Sequence, residues 1–195
     1  MAETGSKTVV YNNTIDLLSP LQSNPPPSTS PARSIKVIGA GLSRTATVSF
    51  TLALARLLRG PVCHCGSASL LREEGFIKGW IEVMDPETPG VEKERLLRGL
   101  LGGYVGITDS PAYMYVGELV NAFPDAIVIC TTRDQDRWWA SFGRMLEQIS
   151  PWWVPVVFWS LPTLRWFGTW YEGMDKRFVL SQTLQDKKIL MGFGL

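Results

Sequence analysis

The chain has 195 residues, 45% hydrophobic and 19% charged side chains, and a formal net charge of +1. That length holds one domain with a real core but not two full α/β domains, and the composition is globular, on the apolar side of average. A chain this close to neutral, without a Lys/Arg cluster, lacks the electrostatic footprint of a nucleic-acid binder, so no nucleic-acid partner is expected. Its three cysteines, Cys63, Cys65 and Cys130, are an odd number; that argues against a disulfide framework and for a reducing, intracellular and cytoplasmic setting.

Residues 1–34 carry no periodic apolar pattern, and Asn24–Pro31 reads NPPPSTSP, the composition of an extended, mobile, disordered tail. No apolar signal-peptide core follows Met1, which argues against secretion, so the glycosylation-type triplet Asn12-Asn13-Thr14 is read as incidental. The folded domain is expected over residues 35–195.

It opens with IKVIGAGLSRTATVSFTLALARLL, Ile35–Leu58. Ile35–Ile38 has the signal of a buried strand, closed by Gly39-Ala40-Gly41. Phe50, Ala53, Leu54, Leu57 and Leu58 recur at helical spacing and predict one apolar helix face. A helix starting straight after a strand presents unpaired N–H groups and the positive end of its dipole, which suits a phosphate or sulfate group. The nucleotide-hydrolase motif G-x-x-x-x-G-K-[ST] fails, because Arg44-Thr45 stands where Gly-Lys belongs. The dinucleotide motif G-x-G-x-x-G fails too, with Arg44 at its third glycine. A compact loop remains, in which Arg44, Thr45 and Thr47 add side-chain donors to the backbone N–H groups.

Pro61–His64 reads as a short second strand. Cys63-His64-Cys65 invites a zinc reading, but a site needs about four ligands and the chain has no other histidine; these are taken as structural or loop residues, and no metal is expected. Ala68–Met84 shows a broken helical pattern with Leu71, Trp80, Ile81 and Met84. Asp85–Gly90 is a loop by its turn chemistry. The next helix carries Leu96, Leu97, Leu100 and Leu101 on one face and stops at Gly102-Gly103. Tyr104–Thr108 predicts a strand, followed by a helix to Phe123 capped by Asp109 or Ser110, with Pro111 in its first turn.

Ala126–Thr132, AIVICTT, is the clearest later strand, an apolar run of the type buried on both faces. The helix after it turns Trp138, Phe142, Met145, Leu146 and Ile149 inward. Strands alternating with helices imply an α/β fold: three layers, a parallel sheet flanked by helices, like a P-loop protein. Ligands in such sheets bind beyond the carboxyl ends of the strands, where Arg44 and Arg133 both fall. Residues 151–171, PWWVPVVFWSLPTLRWFGTWY, combine tryptophans with prolines. Their length approaches a membrane span, but the breaks favour either an aromatic-rich lid packed on the domain or a segment resting at a membrane surface.

Together these residues resemble the sulfotransferases, specifically the fungal-type sulfotransferase-like proteins. Their opening strand is typically followed by G-x-x-R-T-G-T-T-S, which Gly41-Leu42-Ser43-Arg44-Thr45-Ala46-Thr47-Val48-Ser49 follows with Ala46 for a glycine and Val48 for a hydroxyl. A later strand in the family precedes an Arg with a Ser eight residues on, matched by Arg133 and Ser141. Asp125 and the Arg137-Trp138 step also look like this family, over about residues 35–180. Members usually continue past the position of Leu195, so the chain reads as shortened at its C-terminal end.

The resemblance implies 3′-phosphoadenosine 5′-phosphosulfate as sulfuryl donor and a small-molecule hydroxyl or amine as acceptor. The donor's cradle would comprise Gly41, Ser43, Arg44, Thr45, Ala46, Thr47 and Val48, with Arg44, Thr45 and Thr47 on the 5′-phosphosulfate and Arg133 and Ser141 on the 3′-phosphate. Arg44 would also stabilise the leaving group. For the acceptor's proton, Asp109 is the first choice and His64 the second. The other function classes weighed are a catalytically inactive binding or membrane-peripheral protein and, with less support, a nucleoside triphosphate hydrolase.

Overall fold

The computed structural model describes residues 34–149 and 151–177. Nearly all of the tail expected over residues 1–34, and the end of the domain expected to run to residue 195, lie outside the described residues.

Four short strands, β1 (Val37–Gly39), β2 (Val62–His64), β3 (Gly106–Thr108) and β4 (Ile127–Ile129), form one parallel sheet in the order β2-β3-β1-β4. Helix α1 (Thr47–Leu57) follows β1; α2 (Cys65–Leu71), α3 (Glu74–Met84) and α4 (Gly90–Leu100) separate β2 from β3. After β3 come a 3-10 turn at Ala112–Tyr115 and α5 (Val116–Ala122), and after β4 come α6 (Gln135–Ile149) and α7 (Val154–Trp159). A second 3-10 turn, Leu164–Trp166, leads into helical backbone over residues 167–177.

Alternation along the strands sends side chains to two cores. Val37 and Val62 meet Leu54 and Val105 on the side covered by α1, with Phe50, Ala55 and Leu58 around them. Ile38, Cys63 and Ile107 face the larger core, with Phe76, Ile77 and Trp80 of α3, Leu97 of α4 and Leu119 of α5. The expected parallel α/β architecture with helices on both faces is therefore present.

Several local expectations are corrected. The buried face of α1 is Thr47, Thr51 and Leu54; Leu57 is 78% exposed, because the helix turns Thr51 toward the sheet, where its hydroxyl meets Thr108 Oγ1 at 2.6 Å. A hydrophobic count missed this polar seam. The pattern over 68–84 is two helices, and Leu71 at the end of the first is exposed. Residues 109–123 are not one capped helix: the 3-10 turn and α5 share them, neither has a side-chain cap, and Asp109 has φ 70°.

The largest correction concerns β4. It reads as a strand buried on both faces, yet Ile127 is 65% exposed and Val128 and Ile129 are exposed as well. The strand pairs with β1 alone among the described strands and forms the sheet's edge. Helix α6 likewise leaves Trp138, Phe142, Met145 and Leu146 only half-buried, and its buried side chain is Ser141; the side chain of Ile149 is outside the described ones. In the 151–171 segment, Trp166 and Phe167 pack against the larger core and Trp170 is part of it, whereas Trp152, Trp153 and Trp159 are exposed. Glu74 anchors the packed portion, accepting from Arg165 Nη2 at 3.0 Å and Trp166 Nε1 at 2.8 Å.

Candidate functional site

The sheet's register brings the candidate residues together. Gly39 pairs with Ile129, and His64 pairs with Thr108, so Ala40, Cys65, Asp109 and Cys130 all leave the same edge. Gly39 has little choice of side chain: a Cβ there would stand 2.9 Å from Thr108 Cγ2. At Gly41 a Cβ would stand 2.0 Å from Thr131 Oγ1 and 2.7 Å from the Thr131 carbonyl. Only glycine lets the loop after β1 lie against the loop after β4.

Within this cradle two residues adopt left-handed backbone, Arg44 at φ 71° and Ala46 at φ 66°. Such a conformation costs an L-residue roughly 1–2 kcal/mol, and Ala46 bears it at the N-terminal boundary of α1. Phe50 N–H bonds the Ala46 carbonyl at 3.0 Å, so the N–H groups of the first turn ahead of it lack helical partners, as at every helix start. Those groups and the helix dipole face the end of the sheet.

The cradle's hydroxyls are already engaged. Thr45 Oγ1 donates to the Leu42 carbonyl at 2.7 Å, and therefore accepts from Thr131 Oγ1 at 2.8 Å. Thr47 Oγ1 donates to Asp109 Oδ1 at 3.2 Å and lies 3.2 Å from His64 Nε2. Both threonines, expected on the ligand, here brace the loop through their hydroxyls. Ser43 Oγ is 2.5 Å from Ser110 Oγ, tying the loop to the segment after β3. Val48, where a hydroxyl was expected, is exposed.

Arg133 and Ser141 reach the same loop from β4 and α6. Arg133 Nη1 donates to the Arg44 carbonyl at 2.9 Å, and Arg44 Nε donates to Ser141 Oγ at 3.2 Å. The exposed Arg133 contrasts with the buried Ser141. Two motifs about ninety residues apart thus interlock directly. A third clasp escaped sequence reading: Trp138 Nε1 donates to the Ser43 carbonyl at 2.8 Å, and its ring stacks on Phe142 at 5.0 Å. The periodicity that marked Trp138 as core hid this bond. Thr131, Ser110 and Ser67 were missed as well, being short polar residues with no distinguishing pattern.

His64 and Asp109 lie beneath the cradle, with Nε2 3.6 Å from Oδ2 and both side chains almost fully buried. Burial pushes the imidazole below its ordinary range, against the opposing pull of the Asp109 carboxylate. Gly66 makes room for the carboxylate, since a Cβ there would stand 2.5 Å from Asp109 Oδ2. The flanking Cys63 and Cys65 are free and buried, and burial raises the Cys65 thiol well above its usual range. Among the described residues no group of three or more His, Cys, Asp or Glu is placed to hold a metal ion.

A parallel α/β sheet thus carries a strand–loop–helix element after its first strand, clasped by an Arg and a Ser from beyond its last described strand, at the end of the sheet where proteins of this architecture bind ligands. A family model described as a sulfotransferase domain matches residues 36–190, and the chain belongs to that family. One curated relative is "Ava biosynthesis cluster protein M" of Aspergillus versicolor, 33% identical over 121 residues that cover 60% of this chain and 45% of the relative. The match thus spans less than half of that relative's length.

Proposed function

We propose that the protein transfers a sulfuryl group from 3′-phosphoadenosine 5′-phosphosulfate to a hydroxyl or amine of a small-molecule acceptor. The observation that carries this reading is the interlock of Arg44 with Arg133 and Ser141, which brings two cationic side chains to one helix start, suited to a donor that carries several anionic groups. The first-turn N–H groups of α1 and the Arg44 guanidinium hold the 5′-phosphosulfate within the Gly41–Val48 loop. Arg133 and Ser141 hold the 3′-phosphate.

In the reaction an acceptor lone pair attacks sulfur, the bond from sulfur to the bridging oxygen breaks, and its electron pair stays on the departing phosphate. Arg44 stabilises that developing charge, and its permanent protonation suits it to electrostatic help rather than proton donation. The acceptor's proton passes to a base in the Asp109–His64 pair. The test is transfer of labelled sulfuryl from the donor to a panel of hydroxyl and amine acceptors. Labelled product with the unaltered chain, lost with Arg44→Ala, is expected; a chain that labels nothing is the inactive binding protein instead.

A second reading, attachment to a membrane surface through residues 151–171, is favoured by exposed Trp152, Trp153, Val156 and Trp159 in a run without charge from Pro151 to Leu164. Tryptophan prefers the headgroup boundary. No described helix is long and apolar enough to cross a membrane, so contact would be interfacial. Co-sedimentation with phospholipid vesicles tests it, and a chain left wholly in the supernatant overturns it.

A further inference from the structure

The Asp109–His64 pair sits in a chain of four side chains whose hydrogen bonds can have only one direction. It starts at Ser67, whose backbone N–H points at His64 Nδ1 at 3.4 Å, with Ser67 Oγ 3.0 Å from the same nitrogen. A backbone N–H can only donate, so Nδ1 carries no proton. With Nδ1 accepting, the ring is not cationic and its one proton is on Nε2; burial, which lowers the imidazole's pKa, favours the same neutral form. That N–H faces Thr47 Oγ1 at 3.2 Å and Asp109 Oδ2 at 3.6 Å. Thr47 accepts from it and passes its own single proton to Asp109 Oδ1 at 3.2 Å. Reversing the order at Thr47 would leave Asp109 Oδ1 without a donor from this chain and bring two protons together between Thr47 and the ring.

From this we infer that Asp109 is the catalytic base and that His64 is a positioning residue, locked by Ser67 as the Nε2–H form; the inference rests on the sulfuryl-transfer reading for the proton that the base removes. His64 presents a donor where a base would need a bare nitrogen. Every bond in the chain points toward Asp109. The arrangement also ties the first residue of α1 to the ends of β2 and β3. In the transfer step the acceptor O–H or N–H bond breaks and its proton moves to Asp109 Oδ2; the acceptor's electron pair forms the bond to sulfur as the bond from sulfur to the bridging oxygen breaks and leaves its pair on the departing phosphate.

His64 is the chain's one histidine, so ring nitrogen-15 resonances of the labelled full chain at pH 7.5 report it without ambiguity. A protonated Nε2 with an unprotonated Nδ1 is expected. A proton on Nδ1, alone or in a cationic ring, would overturn the inference. In kinetics, Asp109→Asn should lower kcat about 100-fold or more with the donor KM unchanged. His64→Gln retains an amide N–H near the position of Nε2 but no base, and should keep kcat within about tenfold; His64→Leu, which lacks that donor, should lose more. Loss of activity in His64→Gln alongside retention in Asp109→Asn would make His64 the base. Binding of 3′-phosphoadenosine 5′-phosphate and thermal unfolding check that each variant is folded. The nitrogen signals decide the direction of the chain even in a protein that transfers nothing, so failure of this inference and failure of the transfer reading are told apart.

Discussion

Residues 35–123 and residues 126–177 share one sheet but are built differently. The first region closes around two cores, with Trp80, Ile77, Leu97 and Leu119 wholly buried. In the second, Trp170 reaches the larger core, but β4 lies exposed at the edge, α6 is half-buried, and Trp139, Trp152 and Trp159 face outward. The cradle sits on the seam. Its loop and first helical turn belong to the packed region, while Arg133, Trp138 and Ser141 come from the open one and are joined to it by hydrogen bonds. A packed frame therefore presents the helix start, and a polar clasp brings Arg133 and Ser141 to it.

Substitutions across the seam should separate these contributions. Trp80→Ala removes a large side chain from the packed region, and thermal or denaturant unfolding should show a loss of about 3–5 kcal/mol. Arg44→Ala acts on chemistry instead: kcat should fall about 10²–10³-fold, equivalent to about 2.7–4 kcal/mol, with little change in melting. Ala46→Gly relieves left-handed backbone and should add about 1 kcal/mol to stability, read as a raised denaturation midpoint. Val128→Thr on the open strand should change stability by no more than about 0.5 kcal/mol. A Val128→Thr variant as damaged as Trp80→Ala would erase the contrast between the regions.

The fold class was legible because it depends on order: strands alternating with helices, and a strand ending in Gly39-Ala40-Gly41 directly before a helix. The convergence of Arg44 and Arg133 was legible for the same reason, since both follow strand ends that the register sets side by side. Burial was not. AIVIC is apolar enough for a central strand, but its neighbours are set by sheet order, which composition does not encode. The face of α1 was read in part: Phe50, Leu54 and Leu58 pack on the smaller core. Leu57 is exposed, and Thr51 pairs with Thr108 across the sheet, a polar contact that hydrophobic periodicity cannot register. The hydrogen-bond partners of Thr45 and Thr47 were also hidden, because residue type names a donor without saying which acceptor takes its proton. Ala46 went the other way: its mismatch with a glycine position in the sequence flagged the positive φ that the backbone adopts.

The central claim is that Arg133 and the helix start form one donor site. Isothermal titration of the full chain with 3′-phosphoadenosine 5′-phosphate tests it most directly. Saturable binding is expected, weakened about 10–100-fold by Arg133→Ala, the loss of a hydrogen bond to a charged group worth about 1.5–3 kcal/mol. No binding by the unaltered chain, or equal affinity in the Arg133→Ala variant, would contradict it.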